Sequence, residues 1–189
     1  MTYKIAHLAD VHIKNLKYHY EYRHVFNQLY AILRKNEVDY IYIGGDIAHT
    51  KTQISPEFVQ LCSEFFTNLA EIAPLYIILG NHDGNLRNKS RQNAITPIVN
   101  ALDNSNIHLL ADAGETIVTD DLAFNVLSVF DEDNWVKPSS EDRINIAFYH
   151  GCVAGVQTDA GWVMEYGDHD VSIFAGHDFA MLGDIHKTN

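Results

Sequence analysis

The chain has 189 residues, 47% hydrophobic and 20% charged, which is typical of one globular domain and excludes a disordered segment. No apolar run is long enough to cross a bilayer, and the polar N-terminus is unlike a signal peptide. Cys62 and Cys152 are too few for a disulfide framework and favour a cytoplasmic location. The net charge of −12 argues against a free-standing DNA-binding protein, although it leaves nucleic acid open as a substrate.

Short apolar runs alternate with helical patterns in the first hundred residues, and apolar runs predominate after them. The runs that predict buried strands are 4–9, 40–44, 75–80, 144–150, 171–176 and 179–183. Amphipathic patterns predict helices over 20–36, 56–72 and 90–102. Residues 116–130 predict a hairpin that turns at Asp120 and Asp121. The order of these elements predicts an α/β fold in which helices cover sheets.

Polar side chains that can bind metal ions follow five of the predicted strands, at the point where each strand ends. They are Asp10, His12, Asp46, His49, Asn81, His82, Asp83, His150, Asp184 and His186. DVH and GGDIAH alone have ordinary interpretations as a strand exit and a helix cap, and a lone His150 is typical of a core histidine. GNHDG (80–84) is less easily explained as a turn and favours function. Because ligands bind beyond the carboxyl ends of strands in α/β sheets, the joint occurrence predicts one shared site.

Imidazole, carboxylate and amide side chains together suit a two-metal centre that hydrolyses phosphoesters. Asp46 is the predicted bridge, since one carboxylate can bind two cations and the neighbouring glycines let the backbone approach closely. The first metal site is predicted to contain Asp10, His12 and His186, and the second Asn81, His150 and Asp184. Without a thiolate ligand, the set favours Mn²⁺, Fe²⁺ or Zn²⁺ over Ca²⁺.

Five short motifs in this order carry a family resemblance. They are DVH (10–12), GGDIAH (44–49), GNHD (80–83), YHG (149–151) and GDIH (183–186). The set resembles the five motifs of the calcineurin-like metallophosphoesterase superfamily, and is most similar to SbcD-type DNA double-strand-break repair nucleases, including those of T-even bacteriophages. The resemblance implies a two-sheet sandwich between helical layers (αββα). It also implies a DNA nuclease with two divalent ions, Mn²⁺ or else Mg²⁺, that is a 3′-to-5′ exonuclease on duplex ends and an endonuclease on single strands.

The resemblance also implies roles for three residues near the metals. His82 would lie beside the scissile phosphate without binding metal, where an imidazole can protonate the leaving oxygen. His49 matches a second histidine that does not bind metal. Asp83 would either orient His82 or cap a turn.

The chain departs from the family pattern at its last motif, where Asp184 replaces the usual histidine. In an extended stretch, Asp184 and His186 would share a face, which favours a ligand role for Asp184. Family members continue into a capping domain and a segment that binds an SbcC-type ABC ATPase. We therefore expect residues 1–189 to form a nuclease catalytic domain whose ATPase partner binds elsewhere.

Weaker patterns suggest contacts with DNA and with a second copy of the chain. Arg87, Lys89 and Arg91 form one basic patch and Lys14 and Lys17 another, and each is either a DNA-backbone contact or a solvated loop. The predicted helix over 56–72 has an apolar arc wider than one sheet contact needs. Extra core is the default interpretation of this arc, and the family resemblance adds a homodimer interface as the alternative.

Three classes of function remain open from the sequence. A DNA nuclease is favoured, and a metallophosphatase or cyclic-nucleotide phosphodiesterase of the same superfamily is the alternative. Protein phosphatases of the superfamily carry Gly-Asp-x-x-Asp-Arg-Gly, which His49-Thr50-Lys51 does not fit. The third class is a non-catalytic member of the superfamily that no longer binds metal ions. It is disfavoured, because the sequence keeps nearly every type of metal ligand of the family motifs.

Overall fold

The computed structural model describes residues 2–155, 157, 161 and 163–185, and its centre is a pair of four-stranded sheets. The first sheet contains β1 (Ile5–Leu8), β2 (Tyr40–Gly44), β3 (Leu75–Ile78) and β4 (Ile107–Leu109), all parallel and in that order. The later strands are β5 (Gly114–Thr119), β6 (Leu122–Leu127), β7 (Ile144–His150), β8 (Val153–Ala154), β9 (His169–Asp170) and β10 (Phe179–Gly183). The second sheet has the order β10-β7-β6-β5, with β5 antiparallel to β6 and the other pairs parallel. The predicted α/β sandwich is confirmed, as is the hairpin that forms β5 and β6.

Three helices cover the outer face of the first sheet. They are α1 (His19–Asn36), α2 (Pro56–Ala70) and α3 (Thr96–Leu102). Helix α2 begins at a serine cap, where the main-chain N–H of Phe58 donates to Ser55 Oγ. It contacts both α1 and α3, and most of its apolar arc is buried within the chain, although Val59 is exposed. Core packing therefore accounts for most of the width of the arc, and the homodimer stays a prediction.

Aromatic side chains fill the space between the two sheets. Tyr42 of β2 stacks on Phe148 of β7 with ring centroids 3.7 Å apart. Tyr76 of β3 meets Phe124 of β6 edge-on at 4.9 Å. Replacing such a buried ring by alanine typically costs about 3–5 kcal/mol of stability. This packing holds the sheets against each other and so fixes the relative positions of their carboxyl ends.

No long helix packs on the outer face of the second sheet within the described residues. Instead, this face contacts Ile173 and Phe174 of the 3₁₀ helix Val171–Phe174, and Trp135 directly after the 3₁₀ helix Glu132–Asn134. The strand predicted over 171–176 is therefore wrong. Asp170 caps this segment, because its side chain accepts a hydrogen bond from the N–H of Ser172. A local side-chain cap favours a helical turn over an extended strand, even where the residues are apolar.

The helix predicted over 90–102 is also shorter than expected and begins at Thr96. Asn93 Oδ1 accepts hydrogen bonds from the N–H groups of Ile95 and Thr96, which sets the start of the helix. Residues 81–95 form turns that extend beyond β3. Within the described residues, no helix combines the length and apolarity needed to span a membrane.

Candidate metal centre

The predicted site residues gather where the carboxyl ends of the two sheets meet. Strands β1, β2 and β3 end there in the first sheet, and β7 and β10 end there in the second. Several contacts join the sheets there; for example, His150 Nδ1 lies 2.6 Å from the carbonyl oxygen of Gly44, and the N–H of Asp184 donates to Asp10 Oδ1 at 3.1 Å. The location is therefore the one that the strand ends predicted.

Asp46 is at the centre of the cluster and is fully buried. Its Oδ1 lies 3.3 Å from His150 Nε2, and its Oδ2 lies 3.6 Å from His12 Nε2. Oδ1 also accepts a hydrogen bond from the N–H of His82 at 2.8 Å. Burial acts to raise the pKa of Asp46, but the hydrogen bonds and positive charge from His150 and His82 outweigh it and lower the pKa. The two carboxylate oxygens thus face different histidines, as a bridge between two ions requires.

His150 is buried and its ring orientation is fixed by the main chain. The 2.6 Å contact to Gly44 O places the proton on Nδ1, so Nε2 points towards Asp46. Burial lowers the pKa of His150, but Asp46 more than offsets it and raises the pKa to about 9. A metal ion that binds Nε2 must therefore displace a proton at neutral pH.

Asp184 and Asn81 lie on the same side as His150. Asp184 Oδ1 is 3.8 Å from His150 Nε2 and 3.5 Å from Asn81 Nδ2. The three predicted ligands of the second metal are thus brought together. The extended backbone expected at Asp184 is wrong, because its φ of 75° is left-handed, and His186 lies outside the described residues.

Two groups of side chains have ligand atoms close enough to hold one ion each. One group is His12, Asp46 and His82, and the other is Asp10, Asp46 and His150. Asp46 belongs to both groups, which matches its predicted bridging role. The other ligands are grouped differently from the prediction. Asp10 lies in the same group as His150, and His82 lies close enough to bind the first ion together with His12. Asp10 and His12 both have a left-handed backbone, so their side chains do not follow the alternation of a strand.

Backbone strain is concentrated at this centre. Asp10, His12, Asp46 and Asp184 have φ values of 54°, 48°, 52° and 75°. Such conformations cost about 1–3 kcal/mol each for residues other than glycine, and typically persist at functional sites. Gly45 (φ 87°) permits the close packing, because a Cβ there would lie 2.6 Å from His150 Nδ1.

The donor set fits two divalent cations. Asp46 Oδ2 and His150 Nε2 are buried and have no hydrogen-bond partner within the part of the chain that the structure describes. Buried polar atoms are normally satisfied, so both atoms are suited to coordinate a cation, which on His150 would replace the proton. Mixed imidazole, carboxylate and amide donors suit first-row divalent ions.

His82 and His49 lie on the exposed side of the cluster. His82 Nδ1 is 2.7 Å from the carbonyl oxygen of His49, which leaves Nε2 of His82 directed away from that contact. The His12 and His82 rings meet edge-on with centroids 4.9 Å apart. His82 is therefore placed either to bind the first ion or to contact a substrate, and His49 holds it through the main chain.

Comparison with known proteins identifies the family to which this centre belongs. A family model described as calcineurin-like phosphoesterase matches residues 3–186. The chain belongs to the calcineurin-like phosphoesterase family. Phosphoesterases of this family are hydrolases that act on phosphoesters and use divalent metal ions.

Two viral proteins and one solved structure are similar to this phosphoesterase. The chain is 38% identical over 198 residues to the uncharacterized protein R555 of Acanthamoeba polyphaga mimivirus, covering 97% of the chain but 14% of that protein. It is 32% identical over 83 residues to "Putative phosphoesterase 244L" of Invertebrate iridescent virus 6, covering 42% of the chain and 28% of that protein. The crystal structure of Pseudomonas putida nuclease MPE aligns with a TM-score of 0.44 at 18% identity, covering 84% of the chain and 66% of that structure. The chain thus spans a small part of the viral relatives it matches.

Asp83 of the phosphoesterase fold braces the loops of the site instead of contacting the His82 ring. Its Oδ1 accepts from the N–H of Ala48 at 2.8 Å, and its Oδ2 accepts from the N–H of Gly80 at 2.9 Å. The His82 ring is held by His49 instead. Of the two roles expected for Asp83, these contacts correspond to the turn cap, and it acts as a positioning residue between two loops.

Burial raises the pKa of Asp83 to about 6. A carboxyl group whose pKa is higher in the folded than in the unfolded protein contributes stability at low pH, which is lost as the pH rises through 6. Between about pH 4 and pH 7 in EDTA, the wild type should lose ~2–3 kcal/mol relative to Asp83→Asn. Urea unfolding of both proteins across this range measures the difference, and parallel stability profiles would contradict a buried, titrating Asp83.

The five basic residues predicted to contact DNA lie in different environments. Arg87 lines a cavity beside His82, together with Lys51, which the sequence did not single out. Lys89 Nζ is 3.7 Å from Glu132 Oε1, and Lys14 Nζ is 5.2 Å from the centroid of the Tyr18 ring. The remaining two candidates, Lys17 and Arg91, are exposed.

Proposed function

We propose that this chain is the catalytic domain of a two-metal DNA nuclease. It cleaves duplex ends as a 3′-to-5′ exonuclease and single strands as an endonuclease, with Mn²⁺ or Mg²⁺ as the metal. We further propose that it acts in recombination and double-strand-break repair with an SbcC-type ATPase, as a homodimer. The observation that carries the nuclease proposal is the distribution of charge around the metal centre.

Three loops surround the centre from the first sheet: the first loop (9–18), the second loop (45–55) and the third loop (79–95). Each contains a single acidic residue, namely Asp10, Asp46 and Asp83, and all three belong to the centre or brace it. The same loops carry six of the chain's 13 lysines and arginines. They are Lys14, Lys17, Lys51, Arg87, Lys89 and Arg91. Although the net charge of the chain is −12, these three loops concentrate positive charge around the metal centre, where a polyanionic substrate would lie.

The side chains of the centre have distinct parts in the hydrolysis of a phosphodiester. Asp46, held by the His82 N–H, belongs to both candidate ligand groups and would be shared by two ions, and the neighbouring histidines and carboxylates would provide the other ligands. When bound there, two divalent ions would provide a hydroxide nucleophile at neutral pH and would offset charge on the phosphoryl oxygens. The carbonyl oxygen of His49 holds the proton on His82 Nδ1, so the ring in its imidazolium form is the candidate donor of the Nε2 proton to the leaving oxygen.

A substrate comparison tests the proposal. We expect Mn²⁺-dependent degradation of linear duplex and single-stranded DNA at a higher kcat/KM than hydrolysis of bis-nitrophenyl phosphate, nitrophenyl phosphate or cyclic nucleotides. EDTA should abolish all of these activities. Faster hydrolysis of the monoester or of cyclic nucleotides, with intact DNA, would overturn the nuclease assignment in favour of a phosphatase or a cyclic-nucleotide phosphodiesterase.

Asp184→His is expected to change metal preference. A carboxylate adds negative charge and a hard oxygen beside His150 and Asn81, which suits Mn²⁺ and Mg²⁺ more than Zn²⁺. An imidazole should shift the ranking towards Zn²⁺ and make bound water more acidic, which moves the rising limb of the pH–rate profile to lower pH. Rates with each metal across a pH series check both effects. An unchanged ranking and profile would place Asp184 outside the coordination shell.

A further inference from the structure

A cavity of about 650 Å³ lies next to the metal centre, between the second and third loops. Asn81 and His82 form its end at the centre, and Lys51 and Arg87 are its two cationic residues. The remaining lining residues are threonines, an asparagine and Leu86, and none carries a carboxylate. The cavity therefore combines positive charge with some apolar surface.

Lys51 is held in place at the mouth of this cavity. Its Nζ donates a hydrogen bond at 3.0 Å to the carbonyl oxygen of Asn81, the residue before His82. An ammonium group has three donors, so two remain for another acceptor. The contact places a positive charge one residue from the candidate proton donor and ties the second loop to the third.

Arg87 lies on the third loop, where its N–H donates to Asn85 Oδ1 at 3.0 Å and fixes the local turn. Its guanidinium suits a phosphate, since it offers several donors in a planar fork. Lys89, two residues on, is paired with Glu132 and is thereby partly neutralised. Lys51 and Arg87 are thus the cations that line this cavity.

We propose that the cavity is a subsite for the nucleotide next to the scissile phosphate, with Lys51 and Arg87 binding the phosphate on the far side of that nucleotide. The inference rests on the proposed nuclease function and names the substrate part that this wall of the site recognises. The volume is within the range of roughly 300–1,000 Å³ that is typical of small-molecule sites, enough for a base and sugar. The half-exposed Leu86 offers apolar contact to the nucleotide.

A binding experiment tests the subsite without catalysis. Fluorescence anisotropy in EDTA measures the affinity for a labelled, single-stranded phosphorothioate oligothymidylate across a series of salt concentrations. Each phosphate contact contributes about 0.7 to the slope of log K against log salt for a single strand. Lys51→Gln, which keeps a donor for Asn81 O, should lower the slope by about 0.7, and Lys51→Gln/Arg87→Gln by about 1.4. Lys51→Arg should restore most of the wild-type slope.

Lys35→Gln is the matched control, since it removes the same charge from an exposed position at the end of α1. The neighbouring Asn36 accepts a hydrogen bond from Lys4 Nζ just before β1, so this end of α1 lies at the sheet edge opposite the metal centre. This control should retain the wild-type slope. A Lys51→Gln slope equal to that of Lys35→Gln would overturn the subsite.

Substrate kinetics give a second readout that separates the two proposals. With Mn²⁺, Lys51→Gln should lower kcat/KM for an oligonucleotide by at least about tenfold more than for bis-nitrophenyl phosphate, which has no neighbouring phosphate to bind. Equal losses on both substrates would overturn the subsite while leaving the nuclease intact. Failure of the wild type to bind or cleave any oligonucleotide would instead overturn the nuclease function itself.

Discussion

Replacing Asp46 by alanine is expected to abolish the binding of both metal ions and to reduce turnover to background. Its two carboxylate oxygens face His150 and His12 separately, and both candidate ligand groups include it. His12 belongs to one group alone, so His12→Ala should weaken one ion and leave the other bound. Calorimetric titration with Mn²⁺ compares the two variants, and a two-site isotherm for Asp46→Ala would remove Asp46 from the bridging position.

A metal-free measurement checks the same geometry independently. Asp46 raises the pKa of His150 to about 9 against the opposing effect of burial. Asp46→Asn removes the charge while keeping a similar shape, so the pKa of His150 should fall towards or below the ordinary value of about 6.5. NMR titration of the histidine ring protons in EDTA measures this shift. A pKa that stays near 9 would mean that another group holds the His150 proton.

The architecture and the location of the centre were predictable because both follow from regular patterns. Uniform apolar runs identified five of the parallel strands but not β4, and β2, β7 and β10 begin and end at the predicted residues. Parallel strands bring their carboxyl ends to one edge, so polar residues after separate strands had to converge. His150 and Asp184 converge because β7 and β10 are neighbours in one sheet, but bringing Asp46 of the first sheet beside them also requires the face-to-face packing of the two sheets.

Local interactions decided the features that the sequence did not show. The run at 171–176 is apolar enough for a strand, but the Asp170 cap selects a 3₁₀ turn. The left-handed backbone at Asp10 and His12 redirects their side chains, and a period-two pattern does not anticipate it. Asp83 was ambiguous for a related reason, because the same sequence could orient His82 or brace a loop, and hydrogen-bond partners distinguish the two.

Lys51 illustrates what sequence alone could not select. A single lysine in a loop has no periodicity, and the neighbouring basic patch at 87–91 has the more prominent pattern. Its position depends on the contact with Asn81 O, thirty residues away along the chain. Lys89 is the opposite case: it belongs to the more prominent patch in the sequence, but in the structure it is paired with Glu132.

His82→Ser is expected to reduce kcat for DNA cleavage by roughly 10²–10⁴ while both Mn²⁺ ions remain bound. The His82 ring is exposed, its Nδ1 is held by His49 O, and its Nε2 is the candidate donor to the leaving oxygen. The structure also places His82 within reach of His12 and Asp46, so a ligand role is the competing assignment. The two assignments differ in what serine removes: a proton donor alone, or a donor and a metal ligand.

Calorimetry and leaving-group dependence separate these assignments for His82. If His82 protonates the leaving oxygen, His82→Ser should retain a two-site Mn²⁺ isotherm. The loss of activity in His82→Ser should also be smaller for bis-nitrophenyl phosphate than for DNA. Nitrophenolate is a stable anion that departs without a proton, whereas the alkoxide that leaves from DNA needs one. If His82 is a ligand, one Mn²⁺ site should weaken and both substrates should suffer alike, because activation of the nucleophile is then impaired. His12→Ala provides the reference for that second pattern, since His12 shares the first ion and its Nε2 faces Asp46 Oδ2.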